Sequence, residues 1–224
     1  MAEMYDDSLK FFQNTLLQWY EKYGRSFPWR KETDPYRILV AEVMLQRTKA
    51  YQVASVYPEF VRKFPNLHSL ANASLDDVLL HTHKLGLSKR GNLLILIAKE
   101  IESLFNSSIP DDVEQLMGLL GIGNYISTAL SVFAFNKIHV VVDTNVIRLV
   151  SRYFKVNMKG EARRNSIFIK FCQTLSCCIT EESIKEFNWA LLDFPSLVCK
   201  IKPDCWKCPL SSNCLYPDKI MDTN

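Results

Sequence analysis

Two carboxylates and four thiols stand where this sequence could use them for chemistry. Asp143 follows the apolar run HVVV at 139–142 and opens DTNVIR, a placement that draws its side chain towards the interior. A carboxylate held there can stabilise developing positive charge or direct a water molecule. Followed by Thr144, Asn145 and an apolar-periodic segment, Asp143 is equally a helix N-cap. Glu42 lies in AEVMLQRT, inside an apolar helical pattern. Burying an unpaired carboxylate is expensive, so Glu42 is expected to have a polar task unless it sits on the helix surface.

Gly121 and Gly123 flank one apolar residue in LLGIGNY. That spacing lets the backbone turn sharply, with the amides of Gly121, Gly123 and Tyr125 facing an anion where the next helix begins. A nucleic-acid phosphate is the natural guest, and a plain helix C-cap is the competing reading.

Cys199, Cys205, Cys208 and Cys214 fall within 16 residues, with Pro203 and Pro209 among them. So short a loop cannot bury enough apolar surface to hold itself, and a metal centre would supply the folding energy. Four thiolates suit tetrahedral zinc or a four-iron four-sulfur cluster, and the spacing leaves both open. Cys172, Cys177 and Cys178 lie in an apolar segment and are expected in the core.

The elements that must position these groups read as helices. Apolar periodicity covers 5–23, 38–46, 51–64, 89–105, 111–118, 125–135, 164–178 and 182–197, with one helix opening at Asp143 and another at Ser74, three residues before Asp77. Pro28 and Pro35 are expected to keep GRSFPWRKETDPY a loop. Only 139–142 reads as extended, too short and solitary for a sheet, so the chain is expected to be all-α. With 48% hydrophobic residues, its 224 residues can build one large domain or two small ones, divided by packing and not by a linker.

No apolar run approaches the roughly 20 residues that span a bilayer. The acidic N-terminus MAEMYDDSLK has no signal core, so an intracellular protein with no membrane partner is expected. Net charge is only +3, so binding a polyanion depends on where basic residues lie. Lys84 with Lys89 and Arg90, or Arg152 with Arg163 and Arg164, could meet phosphates or form solvated faces.

In order along the chain, WYEKYGRSFPWR, PYRILVAEVMLQRT, LGLSKR, LLGIGNY, VVVDTNVIR, FNWALLDF and the four-cysteine tail resemble the helix-hairpin-helix DNA glycosylases of the endonuclease III and MutY type. The resemblance runs over roughly residues 9–214. It implies a two-lobed fold: a six-helix barrel at 28–136 that carries the hairpin, and a lobe built from 1–27 and 137–224. In that lobe the loop 199–214 would hold a 4Fe-4S cluster of structural or DNA-sensing role in place of zinc. The chain departs from the family pattern in its first cysteine interval, which is five residues and not six. Leu120 stands where the hairpin usually has proline, and Pro195 and Ser196 replace a usual Gly-Ala.

Within that family a lysine two residues after the second hairpin glycine forms an imine with the sugar and cleaves the strand. This chain has Tyr125, and a phenol cannot form that imine. The resemblance therefore implies base release by water, without strong abasic-site lyase activity. Tyrosine here, and LGLS followed by KR, resemble the Mig-type thymine-DNA mismatch glycosylases, which remove thymine or uracil opposite guanine from duplex DNA after base flipping. By the same resemblance Asp143 stands beside the sugar, Glu42 bonds the extruded base and Tyr125 stacks on or bounds it. Gln46 enters the vacated duplex space, Arg47 and Ala50 lie near the opposite guanine, and Leu87 or Ser88 forms a second wedge. Gly121 and Gly123 hold the backbone phosphate. The expected form is a monomer on mismatched double-stranded DNA, in the cytoplasm or nucleoid if the source is prokaryotic.

Three other readings compete. EVMLQ and FPWR are very like MutY and favour adenine excision opposite 8-oxoguanine, but Tyr125 disagrees. The ten residues after Cys214 also leave no room for the extra C-terminal domain of those enzymes. A lyase acting on oxidised pyrimidines lacks its lysine. A non-catalytic helix-hairpin-helix DNA-binding module gains nothing from acids in apolar settings.

Overall fold

A computed structural model describes residues 2–85, 88–156 and 165–216. Their regular structure is all helical, and no strand occurs among them. The α-helices are α1 (Ala2–Tyr23), α2 (Pro35–Leu45), α3 (Ala50–Lys63), α4 (Leu67–Ala71), α5 (Leu75–Thr82), α6 (Ser88–Phe105), α7 (Val113–Met117), α8 (Asn124–Phe133), α9 (Thr144–Tyr153), α10 (Ser166–Thr174) and α11 (Ile184–Leu197). None is long and apolar enough to cross a membrane. The chain divides into two units, Ser26–Phe135 and Met1–Arg25 with Asn136–Asn224.

In the unit Ser26–Phe135, α2 is the central element. Tyr36 and every residue from 38 to 44 are buried, so the helix is enclosed on all sides, and it packs against α3, α6 and α8. Its start corrects the expectation of a loop through Pro35. The proline occupies the first helical position, where a missing N–H has no intrahelical partner to lose, and Asp34 caps the helix by accepting from the Tyr36 amide at 2.9 Å. Pro28 likewise opens a 3-10 turn, Pro28–Lys31. The short α4 carried no periodic signal in the sequence; a reciprocal capping box of Asn66 and Ser69 starts it.

In the other unit, α1 packs against α11 and α11 against α9. Phe12, fully buried, meets Tyr153 and Phe154 at ring separations of 4.7 and 5.2 Å. The carboxylate of Asp193, also fully buried, is paired by Arg25, whose backbone N–H, Nε and Nη2 all donate to it. Pairing of this kind is what makes a buried charge tolerable. Cys172 is in the core as expected, but Cys177 and Cys178 are exposed. The reason is that α10 ends at Thr174, and the turn after it leaves the apolar face that the periodicity had extended to 178.

Candidate active site

Glu42 is 4% exposed in the middle of α2, and its Oε2 has no hydrogen-bond partner among the described residues. Removal from water pushes its carboxyl up from the ordinary 4.5 to about 7, opposed by the Arg30 guanidinium and by a hydrogen bond with Tyr125. Tyr125 lies in the first turn of α8, half-buried, and the packing of α8 on α2 brings it to the acid. Arg30 was not among the residues singled out from sequence. It belongs to the 3-10 turn after Phe27, whose ring stacks on Trp29 at 4.9 Å, and its guanidinium lies 5.2 Å from the Phe27 centroid. The FPWR motif was the available signal, since an aromatic pair beside an arginine fixes the cation.

The hairpin forms with Gly121 in the left-handed region at φ +71. That conformation favours glycine, and a Cβ there would also stand 2.6 Å from Leu93 Cδ1 and push that side chain aside. Leu120, in the place of the family's proline, uses the N–H that proline lacks to donate to Glu100 Oε2 at 2.7 Å. Gly123 caps α8 without any side-chain hydrogen bond, and a Cβ on it would meet nothing within 4 Å. The start of α8 thus presents its dipole with no side chain laid across it.

The helix ends at Leu45, and Gln46 is its C-cap with φ −55 and ψ 113, so the backbone turns away from the helix axis after Gln46. Arg47 is exposed at φ +55, and Ala50, half-buried, opens α3. The turn is tied by Arg90, whose Nη1 donates to the Met44 carbonyl at 3.2 Å and to Thr48 Oγ1 at 2.7 Å. Burial and the nearby charge of Arg47 lower the Arg90 pKa. Arg90, half-buried, therefore braces the turn that follows α2. Ser88 opens α6. Leu87, Arg163 and Arg164 lie outside the described residues, as do the side chains of Lys84, Ser88 and Lys89.

Asp143 belongs to the other unit and is half-buried, not interior. It is the N-cap of α9. Oδ1 accepts from the amides of Asn145 and Val146 at 2.8 and 2.7 Å, and Oδ2 from Asn145 Nδ2 at 2.8 Å. The orphan amides of the first turn hold the carboxylate at the helix mouth, while Val140, Val141 and Val142 before it are buried.

In the same unit Cys199, Cys205, Cys208 and Cys214 all line one pocket. Two arginines of α9 hold the rim. Arg148 donates to the carbonyls of Cys199 and Pro195, and Arg152 to those of Lys200 and Ile201. Arg152 Nη1 also lies 3.6 Å from Cys199 Sγ, so this arginine faces the cysteines, contrary to its reading as a phosphate cluster with 163 and 164. Burial pushes the Cys208 thiol up to about 12. Among the described residues no group of three or more His, Cys, Asp or Glu is arranged to hold a metal ion. Four cysteine donors on one pocket, with guanidinium charge beside them, have the chemistry of an anionic thiolate-bound metal centre.

Residues 40–186 match the HhH-GPD superfamily base excision DNA repair protein family. A thymine-DNA glycosylase of Aeropyrum pernix is 35% identical over 213 residues, covering 93% of this chain and 95% of that protein. An adenine DNA glycosylase of Mycobacterium tuberculosis is 38% identical over 197 residues, covering 87% of this chain and 64% of its own length. A solved thermostable thymine-DNA glycosylase superposes with a TM-score of 0.88 at 29% identity, covering 94% of this chain and 97% of that one.

Proposed function

The chain belongs to the HhH-GPD superfamily of base excision DNA repair proteins, and from that premise we propose that it is a monofunctional DNA glycosylase hydrolysing the N-glycosidic bond of thymine or uracil paired with guanine. The observation that carries this reading is the Glu42–Tyr125 hydrogen bond. The position that a strand-cleaving enzyme fills with an amine is here a phenol engaged with a buried acid.

The mispaired nucleotide leaves the duplex at a cost of a few kcal/mol, lower for a mispair than for a matched one. As the bond from C1′ to the base breaks, electrons pass to the pyrimidine and its carbonyl oxygens gain negative charge. With a pKa of about 7, Glu42 is present in both protonation states near neutrality, and its protonated form donates to such an oxygen. Arg30 limits how far burial raises that pKa. The sugar develops positive charge, which the Asp143 carboxylate stabilises, and the water that adds to C1′ gives up its proton to that carboxylate and from there to solvent. The products are the free base and an abasic site on an unbroken strand.

Gly121 and Gly123 would hold a backbone phosphate, which positions the duplex without reading its sequence. Gln46, Arg47, Ala50, Leu87 and Ser88 are assigned to the mismatch and the space the base vacates. Cys199, Cys205, Cys208 and Cys214 would hold a 4Fe-4S cluster, whose contribution is to close the loop 199–214 as a structural staple. The protein would act as a monomer on duplex DNA.

The test is incubation of purified protein with end-labelled duplexes carrying G·T, G·U, or adenine opposite 8-oxoguanine, with and without hot alkali. Strand breaks at the G·T or G·U pyrimidine only after alkali are expected. Breaks without alkali overturn the monofunctional reading, breaks at adenine transfer the chain to adenine excision, and no breaks at any site leave a DNA-binding module.

A further inference from the structure

Val140, Val141 and Val142 are buried and belong to no helix, and no strand lies beside them among the described residues. Buried backbone amides and carbonyls must nevertheless be partnered. Two side-chain amides take the place of neighbouring strands. Gln173, on α10, accepts from the Val140 N–H at 2.8 Å and donates to the Val140 carbonyl at 3.0 Å, as an adjacent strand residue would. Asn188, on α11 and fully buried, accepts from the Val141 N–H at 2.7 Å and donates at 2.9 Å to the His139 carbonyl and to the Ile184 carbonyl of its own helix. Three consecutive residues are thereby pinned from two helices, and the next but one after them is Asp143.

We infer that Gln173 and Asn188 are positioning residues for base release, fixing where the Asp143 carboxylate stands. The inference rests on the role given above to Asp143. The N-cap bonds orient the Asp143 side chain relative to α9 only, because they come from the first turn of that helix and from Asn145. The incoming chain is fixed by the two amides, and the carboxylate cannot shift without slipping the Val140 and Val141 backbone past them. A purely apolar packing of the three valines would hold the run in the core and leave it free to slide along its own axis. The paired amide bonds set the register.

The test compares wild-type protein with Gln173→Met and Asn188→Asp. Methionine keeps the length of Gln173 and removes both bonds, at a position that is only half-buried. Aspartate keeps the acceptor for Val141 and removes the donor to His139 and Ile184. Single-turnover base release from a G·T duplex is measured beside the Kd for the same duplex made with a non-hydrolysable 2′-fluoro nucleotide. The expected result is a fall of about 10- to 100-fold in the release rate, because a displaced catalytic group loses alignment, with Kd unchanged to within about threefold. Wild-type rates in both variants, a loss that follows weakened DNA binding, or failure of both to fold would each overturn the inference. Absence of release by the wild-type protein itself would instead overturn the proposed function, so the two failures are distinct.

Discussion

Glu42 and Asp143 are both acids beside apolar runs, and the protein holds them in opposite ways. Asp143 has bonds on both oxygens, from two amides of α9 and from Asn145, at a half-exposed helix mouth. Glu42 is enclosed in α2, has one oxygen without a partner among the described residues, and has its carboxyl pushed up to about 7. The first arrangement fixes a carboxylate in place; the second makes a proton easy to hold and easy to give. The difference teaches which task each can perform, since a developing cation needs a fixed charge and a departing base needs a proton donor.

The widest gap between the two is expected at Asp143. Asn is as good an N-cap as Asp, so Asp143→Asn should leave the thermal midpoint and duplex binding close to wild type. Base release should fall on the order of 10³-fold or more, because the charge is lost while the bonds from the two α9 amides are kept and only that from Asn145 Nδ2 is given up. Normal turnover by the variant would remove Asp143 from the mechanism and leave it a structural cap.

Glu42→Gln should cost less, on the order of 10²-fold, because an amide still hydrogen-bonds the base but cannot transfer a proton. Its signature is in stability. The carboxyl has a folded pKa of about 7 against 4.5 ordinarily, so folding favours the protonated form. The stability linked to it is fully present below about pH 4.5, is lost as pH rises towards 7, and is constant above. A shift of this size corresponds to about 3 kcal/mol. The thermal midpoint of Glu42→Gln relative to wild type should therefore rise between pH 4.5 and 7. A difference independent of pH would show that Glu42 does not titrate there.

These two acids also show what the sequence could and could not convey. Glu42 was legible because its neighbours from 38 to 44 are all apolar, and a helix enclosed on all sides leaves an acid nowhere to escape. Asp143 was misjudged in depth: the valines before it are interior, but the pull of two orphan amides is local and decides where a side chain at a helix start rests. The all-helical class followed from apolar periodicity. Pro35 was misread because proline ends a helix only in its interior, and α4 was missed because five residues carry no periodicity. Cys177 and Cys178 were placed in the core by a helix that in fact stops at Thr174. FPWR marked Arg30 as a fixed cation, but not its partnership with Glu42, which joins a turn to a helix through space. Gln173 and Asn188 were likewise silent, since nothing in their own neighbourhoods marks them as partners of 139–142.

The smallest effect bears on the link between Glu42 and Tyr125. The Tyr125 hydrogen bond lowers the Glu42 pKa by favouring the charged form, so Tyr125→Phe removes that support and the carboxyl should rise above about 7. Hydrogen bonds to charged groups contribute about 1.5–3 kcal/mol at full burial, and Tyr125 is only half-buried, so a rise of about one unit is expected. If protonated Glu42 is the active form, the alkaline limb of the release rate should move up by the same amount, while the rate at pH 7 changes by less than about tenfold. The same rise should extend the window in which Glu42→Gln gains stability, when that substitution is compared in the Tyr125→Phe background. A limb that stays in place would mean that another group titrates, and one that moves down would mean that Tyr125 supports the neutral acid. Either result would remove the contrast between a fixed charge and a poised proton.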